Sequence, residues 1–203
     1  MKIMLIIAML GHIICFVCDY IITFTPNGRF GLADLKDNEK LSARFENMKT
    51  SRQINSMLWG ILALAMQVCG YFAIADGIRG TAPICAVIMA AGSVIYISFG
   101  VAHHIICGLI EWFYIKFDRT EKARQTILDF FKKTSVTMIA CYVGLIMVSA
   151  ALFVAVVTGR TAAPEWVCVF NAVIFFIVLA PFKAVGAGNI AGALTFLGLA
   201  LFM

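Results

Sequence analysis

Charge is what this chain is short of. Only 13% of its 203 residues are Asp, Glu, Lys or Arg, about half the share in an average globular domain. Such a surface cannot keep a chain with 62% hydrophobic residues and a mean hydropathy of +0.95 in water, which excludes a soluble globular protein. Proline is scarce as well: Pro26, Pro83, Pro164 and Pro181 all flank apolar runs, so nothing breaks long helices internally. None of the seven cysteines lies in a polar loop, which argues against a secreted disulfide framework. Cys85 and Cys168, each near a proline at the start of a span, are the one pair that an oxidising compartment could join. Ten-residue alternation of apolar and polar residues is lacking, which disfavours a β-barrel. No segment interleaves basic residues with exposed aromatics, so the net charge of +5 does not point to nucleic acid. The basic residues sit beside apolar runs, where anionic lipid headgroups attract them.

What is present is a series of apolar runs near the roughly 20 residues that a helix needs to cross a bilayer. Six can be drawn: Lys2 to Phe24, Ile54 to Ala75, Pro83 to Ile115, Val136 to Val157, Trp166 to Phe182 and Val185 to Met203. The expected fold is all-α, a polytopic transmembrane bundle of about six spans forming one domain over residues 1–203. The first run continues through His12 and Asp19 without a small-residue cleavage site, so it reads as a retained span rather than a signal peptide. The last two runs are short, and a re-entrant hairpin is the alternative for them. The third is too long: 33 residues make roughly 50 Å of helix against a hydrocarbon core of about 30 Å. Trp112, Phe113 and Tyr114 are expected as an interfacial aromatic belt, with the excess length at the other end and a bend at Ala90-Ala91-Gly92-Ser93.

The first loop carries Arg29, Lys36, Lys40, Arg44, Lys49 and Arg52. The third carries Lys116, Arg119, Lys122, Arg124, Lys132 and Lys133, while the second and fourth hold only Arg79 and Arg160. That asymmetry makes loops one and three cytoplasmic, and with six crossings both termini lie outside, in the inner (plasma) membrane. Leu32, Leu35, Leu41, Phe45 and Met48 in the first loop recur at roughly helical spacing, as do Ala123, Ile127, Phe130 and Phe131 in the third. Both patterns predict amphipathic helices along the headgroup layer.

Ionisable residues inside apolar runs are costly and mark function by default. His12-Ile13-Ile14-Cys15, followed by Asp19, is repeated as His104-Ile105-Ile106-Cys107, followed by Glu111. In each helix the three polar groups span an arc of about 60°, and His103 widens the second set to about 100°. If the two stripes face each other, three histidines and two acids share one pocket. Neutral imidazoles and a carboxylate are ligands for a divalent metal such as zinc, so His12, His103, His104 and Asp19 are the candidate metal ligands. Asp19 and Glu111 are the candidate catalytic acids, with Glu111 as general base. Gln67, Ser93, Ser98, Ser149, Asn171 and Asn189 add buried polar groups. Gly188 and Gly192 form a small-xxx-small face, a candidate seam for a homo-oligomer.

Cys18-Asp19-Tyr20 ending the first span, Arg52 with Asn55-Ser56 opening the second, His103-His104 late in the third and Gly188-Asn189 in the last resemble small uncharacterised bacterial six-span membrane proteins. That resemblance covers most of the chain and implies no activity. The chain is also loosely similar to alkaline-ceramidase-type membrane hydrolases, which use Ser, Asp and His on several helices, although it lacks a His-x-x-x-His pair in its last span. Four functional readings follow. One is a metal-assisted lipid hydrolase, or more broadly a site for a cation or a lipid-like ligand. A second is a small proton-coupled carrier working as an oligomer. A third is a thiol or haem protein using Cys15, Cys18, His12 and His104. The fourth is a scaffold or immunity protein with no chemistry.

Overall fold

The computed structural model describes residues 1–31 and 33–203. It is helical apart from a two-residue antiparallel pair, β1 (Phe24–Thr25) and β2 (Gly28–Arg29). The helices are α1 (Lys2–Thr23), α2 (Asn38–Arg44), α3 (Ser51–Gly77), α4 (Pro83–Lys116), α5 (Glu121–Thr134), α6 (Val136–Val157), α7 (Ala172–Leu179) and α8 (Ala187–Phe202). Four helical segments are long and apolar enough to cross a membrane: α1, α3, α4, and α5 running into α6. The two C-terminal runs form shorter helices. A 3₁₀ turn at Glu165–Val169 leads into α7, a second at Ala180–Phe182 ends it, and α8 has 16 residues. Such a chain belongs in a membrane, where a helix satisfies its own backbone hydrogen bonds.

Two helical hairpins make the frame. α1 packs on α3, with Gly11 against the backbone of Ala63, and α4 packs on α6, with Gly92 and Gly144 facing each other. A methyl group on Gly144 would lie 2.4 Å from the backbone nitrogen of Tyr96, so only hydrogen lets these helices approach so closely. The cluster at residues 90–93 is therefore a crossing point, and α4 runs through it as one unbroken helix. α3 also packs on α4, and α8 lies antiparallel against α1. At one end of the bundle the two similar turns touch. Thr81 Oγ1 donates to the Arg160 carbonyl at 2.6 Å, and Arg160 returns a bond to the Thr81 carbonyl.

At the opposite, basic end, the loops fold into a cap. Leu35, Leu41, Phe45 and Met48 pack with Ala123 and Ile127 around Ile110 and Tyr114 at the end of α4. Leu32, expected in the same stripe, lies outside the described residues. Tyr114 is fully buried, and its hydroxyl donates to Asn38 Oδ1 at 2.8 Å. It is thus the core of the cap rather than part of an aromatic belt, and the last turns of the long α4 are covered by protein. Asp37 caps α2 by accepting from the backbone nitrogens of Lys40 and Glu39, which lowers its carboxyl pKa. In α5, Arg124 grips Glu121 with two nitrogens and holds that exposed carboxyl at about 2.

Candidate functional site

The polar groups converge where α1, α3, α4 and α8 meet. α3 supplies a buried stripe of Gln53, Ser56, Gly60, Gln67 and Tyr71 at intervals of three, four, seven and four, one face of a helix. His104 of α4 fits over Gly60, where a Cβ would come within 2.2 Å of its Nε2. That nitrogen sits 3.1 Å from the Ser56 carbonyl, and the ring's other nitrogen, Nδ1, is 3.4 Å from Asp19 Oδ1. The Ser56 hydroxyl is committed as a donor to the Cys18 carbonyl at 2.9 Å, so it cannot give its proton to the ring. Both nitrogens of His104 therefore face acceptors. A single-proton imidazole satisfies one of them.

His12 has the opposite arrangement. Asn189 Nδ2 donates to Asp19 Oδ2 at 2.8 Å, which turns its Oδ1 towards His12 Nδ1 at 3.1 Å. On the far side of the ring, the Tyr71 hydroxyl lies 3.1 Å from Nε2. These partners assign a neutral imidazole that donates from Nδ1 and accepts at Nε2. A continuous series then runs from Tyr71 through His12, Asn189, Asp19 and His104 to Ser56. The two repeated motifs meet through Asp19 and His104, whereas His12 is joined to them only through Asn189. Gly192 is occupied within the chain: a Cβ there would come within 2.2 Å of the His12 ring. Nothing among the described residues lies within 4 Å of a methyl added at Gly188.

Asp19, Cys15 and His104 bring one oxygen, one sulfur and one nitrogen within 4.8 Å of one another, a grouping that can hold a metal ion. His103 has other bonding partners. Its Nδ1 lies 3.2 Å from Thr137 Oγ1, and Cys107 Sγ lies 3.6 Å from its Nε2. Glu111 is elsewhere again, buried beside Gln53, whose Nε2 donates to Oε2 at 3.2 Å. Gln53 Oε1 has no partner among the described residues. Of the residues expected to share a pocket, the structure brings together Asp19 and His104, sets His103 in the wall of the same cavity, links His12 indirectly, and separates Glu111. All seven cysteines are free thiols, Cys85 and Cys168 included.

A cavity of about 540 Å³ opens beside the Cys15–Asp19–His104 group, with His103, Cys107 and Asn189 also in its wall. That volume is in the range of about 300–1,000 Å³ typical of small-ligand sites. Asp19 remains about a quarter exposed, whereas His104 is 8% exposed. Sequence reasoning missed the parts played by Cys15 as a third donor and by Ser56 and Tyr71 as orienting partners. The 3–4 spacing of polar and small residues along α3 was the available signal.

No curated protein and no solved structure matches this chain. A family model does match, over all of residues 1–203. The protein belongs to DUF6796, a family of unknown function.

Proposed function

We propose that this protein is a membrane-embedded cation-binding protein, and that Cys15, Asp19 and His104 hold a divalent metal such as zinc at the floor of the cavity. The supporting observation is that the three donors converge and two already have the outer partners a metal site needs. With metal on Nδ1 of His104, Nε2–H still donates to the Ser56 carbonyl; with metal on Asp19 Oδ1, Oδ2 still accepts from Asn189. Such partners fix ligand orientation and are worth about 10–100-fold in affinity. In tetrahedral coordination with ligand bonds of about 2.0–2.3 Å, donor atoms sit roughly 3.5 Å apart. The 3.4 Å between Asp19 and His104 matches that spacing. Three protein ligands leave a fourth position facing the cavity, the pattern of sites that exchange or activate a ligand rather than purely structural ones.

In this reading residues 1–203 form one domain that crosses the cell's inner membrane six times, residues 165–182 and α8 being the last two crossings. The basic cap lies at the cytoplasmic headgroup layer and both termini lie outside. Among the alternatives, the carrier gains support from the contact of two titratable side chains, Asp19 and His104, in the cavity wall. The hydrolase reading would take its base from the cavity wall, where His103 stands and Glu111 does not. The test is metal analysis of the detergent-purified protein. About one equivalent is expected in the wild type and little in His104→Ala. Equal content in the two, or none in either after incubation with zinc, refutes the site.

A further inference from the structure

The cavity carries a second chemistry at its rim. Arg29, in β2, and Lys183, in the turn before α8, both border it. Arg29 Nη2 donates to the Lys183 carbonyl at 2.8 Å, so the two residues lie side by side although they are 154 positions apart. Neither cation has a carboxylate within ion-pair distance among the described residues. Among the described residues the only acid in the cavity wall is Asp19, already engaged by His104 and Asn189. Two cations against one carboxylate leave this end of the cavity positive.

The remaining wall is apolar and does not close. Met138 and Tyr142 of α6 line the cavity yet are 37% and 43% exposed on the outer face of the helices, and Phe176 of α7 stands beside them. A ligand seated there can therefore extend sideways between α6 and α7, towards the acyl region in a membrane. Lys183 and Gly186 both have left-handed backbone, φ 49° and 62°, which turns the chain back sharply and sets Gly186 against Phe16 and Asp19. Three residues span at most about 11 Å, so the Lys183 backbone, with Arg29 bonded to it, lies within that distance of Gly186 beside Asp19.

We infer that this cavity binds a single-chain amphiphile with a phosphate or carboxylate head, the head between Arg29 and Lys183 and the chain along Met138, Tyr142 and Phe176. Guanidinium and ammonium groups both suit such an anion, the former through paired N–H donors. The inference goes beyond the cation site and does not require a metal, so the two can fail separately.

The experiment is calorimetric titration of the full-length protein in phosphatidylcholine nanodiscs, with EDTA present and empty nanodiscs subtracted. The probes are decyl phosphate, decanol and inorganic phosphate. Decyl phosphate is expected to bind saturably and at least tenfold more tightly than either other probe. Arg29→Gln and Lys183→Gln should each weaken it by about tenfold, the latter keeping the backbone acceptor for Arg29. Circular dichroism and size-exclusion profiles would verify that both variants fold. Inorganic phosphate binding as tightly as decyl phosphate would overturn the amphiphile in favour of a free anion. Decanol binding equally well, or folded variants with unchanged affinity, would overturn the role of the rim cations. Absence of saturable binding by decyl phosphate would overturn the inference altogether, whatever zinc does in a separate titration.

Discussion

Replacing Gly60 with alanine tests the candidate site without touching any proposed ligand. The added methyl would lie 2.2 Å from His104 Nε2 and 2.3 Å from its Cδ2. Ordinary contacts between such atoms are about 3.5 Å, so the imidazole must retreat by roughly 1.3 Å. A movement of that size takes Nε2 out of reach of the Ser56 carbonyl, now 3.1 Å away, and shifts Nδ1 relative to Asp19. Functional sites tolerate displacements of only about 0.5 Å. Overpacking of this kind costs about 1–3 kcal/mol of stability. Loss of the bond that orients a ligand histidine costs about 10–100-fold in metal affinity. Competition titration of zinc into the purified protein measures the affinity, and thermal unfolding followed by circular dichroism measures the stability. Gly80→Ala is the control, because nothing lies within 4 Å of its added methyl. Combining Gly60→Ala with His104→Ala should cost no more affinity than His104→Ala alone, since both act through one side chain. A folded Gly60→Ala protein with wild-type zinc affinity would refute both the placement of His104 and its role as a ligand.

Glu111→Gln is expected to leave zinc affinity within about twofold and to maintain or raise the melting temperature. It replaces a buried, poorly compensated carboxyl with a neutral group of the same shape; a large loss of affinity would place Glu111 in the site. Asn189→Ala removes the link between Asp19 and His12, and zinc titration should show binding about 10–100-fold weaker. Tyr71→Phe removes the donor to His12 Nε2 and should destabilise the protein by about 1–3 kcal/mol in thermal unfolding, with a smaller effect on zinc. Zinc binding should also release a proton from the Cys15 thiol. It should therefore weaken as pH falls, as titrations in buffers of different ionisation enthalpy would show.

The long helices were legible because lipid-compatible runs advertise themselves by composition alone. α1, α3, α4 and α6 lie within a few residues of their expected bounds. The shorter C-terminal pair was harder to read, because runs of 17 and 19 residues suit a short crossing and a re-entrant pair equally. Within the site, periodicity correctly put His12, Cys15 and Asp19 on one stripe of α1, but it carries no information on which neighbour each residue meets. His12 turned to Tyr71 and Asn189 because Gly192 leaves room for its ring, and His104 turned to Asp19 because Gly60 does the same. The packing of the cap was illegible for a related reason. An amphipathic stripe does not say whether lipid or protein will cover it, and here Tyr114 and Ile110 take that place.

Asn189 is the last member of the polar series to leave the ribosome, 170 positions after Asp19. Until it arrives, Asp19 and His12 sit in a nascent first helix without the amide that serves both. A chain without α8 therefore carries unsatisfied groups, and the docking of α8 removes that penalty. A polypeptide cut before this residue would keep that defect, with Asp19 and His12 short of the partner that α8 brings.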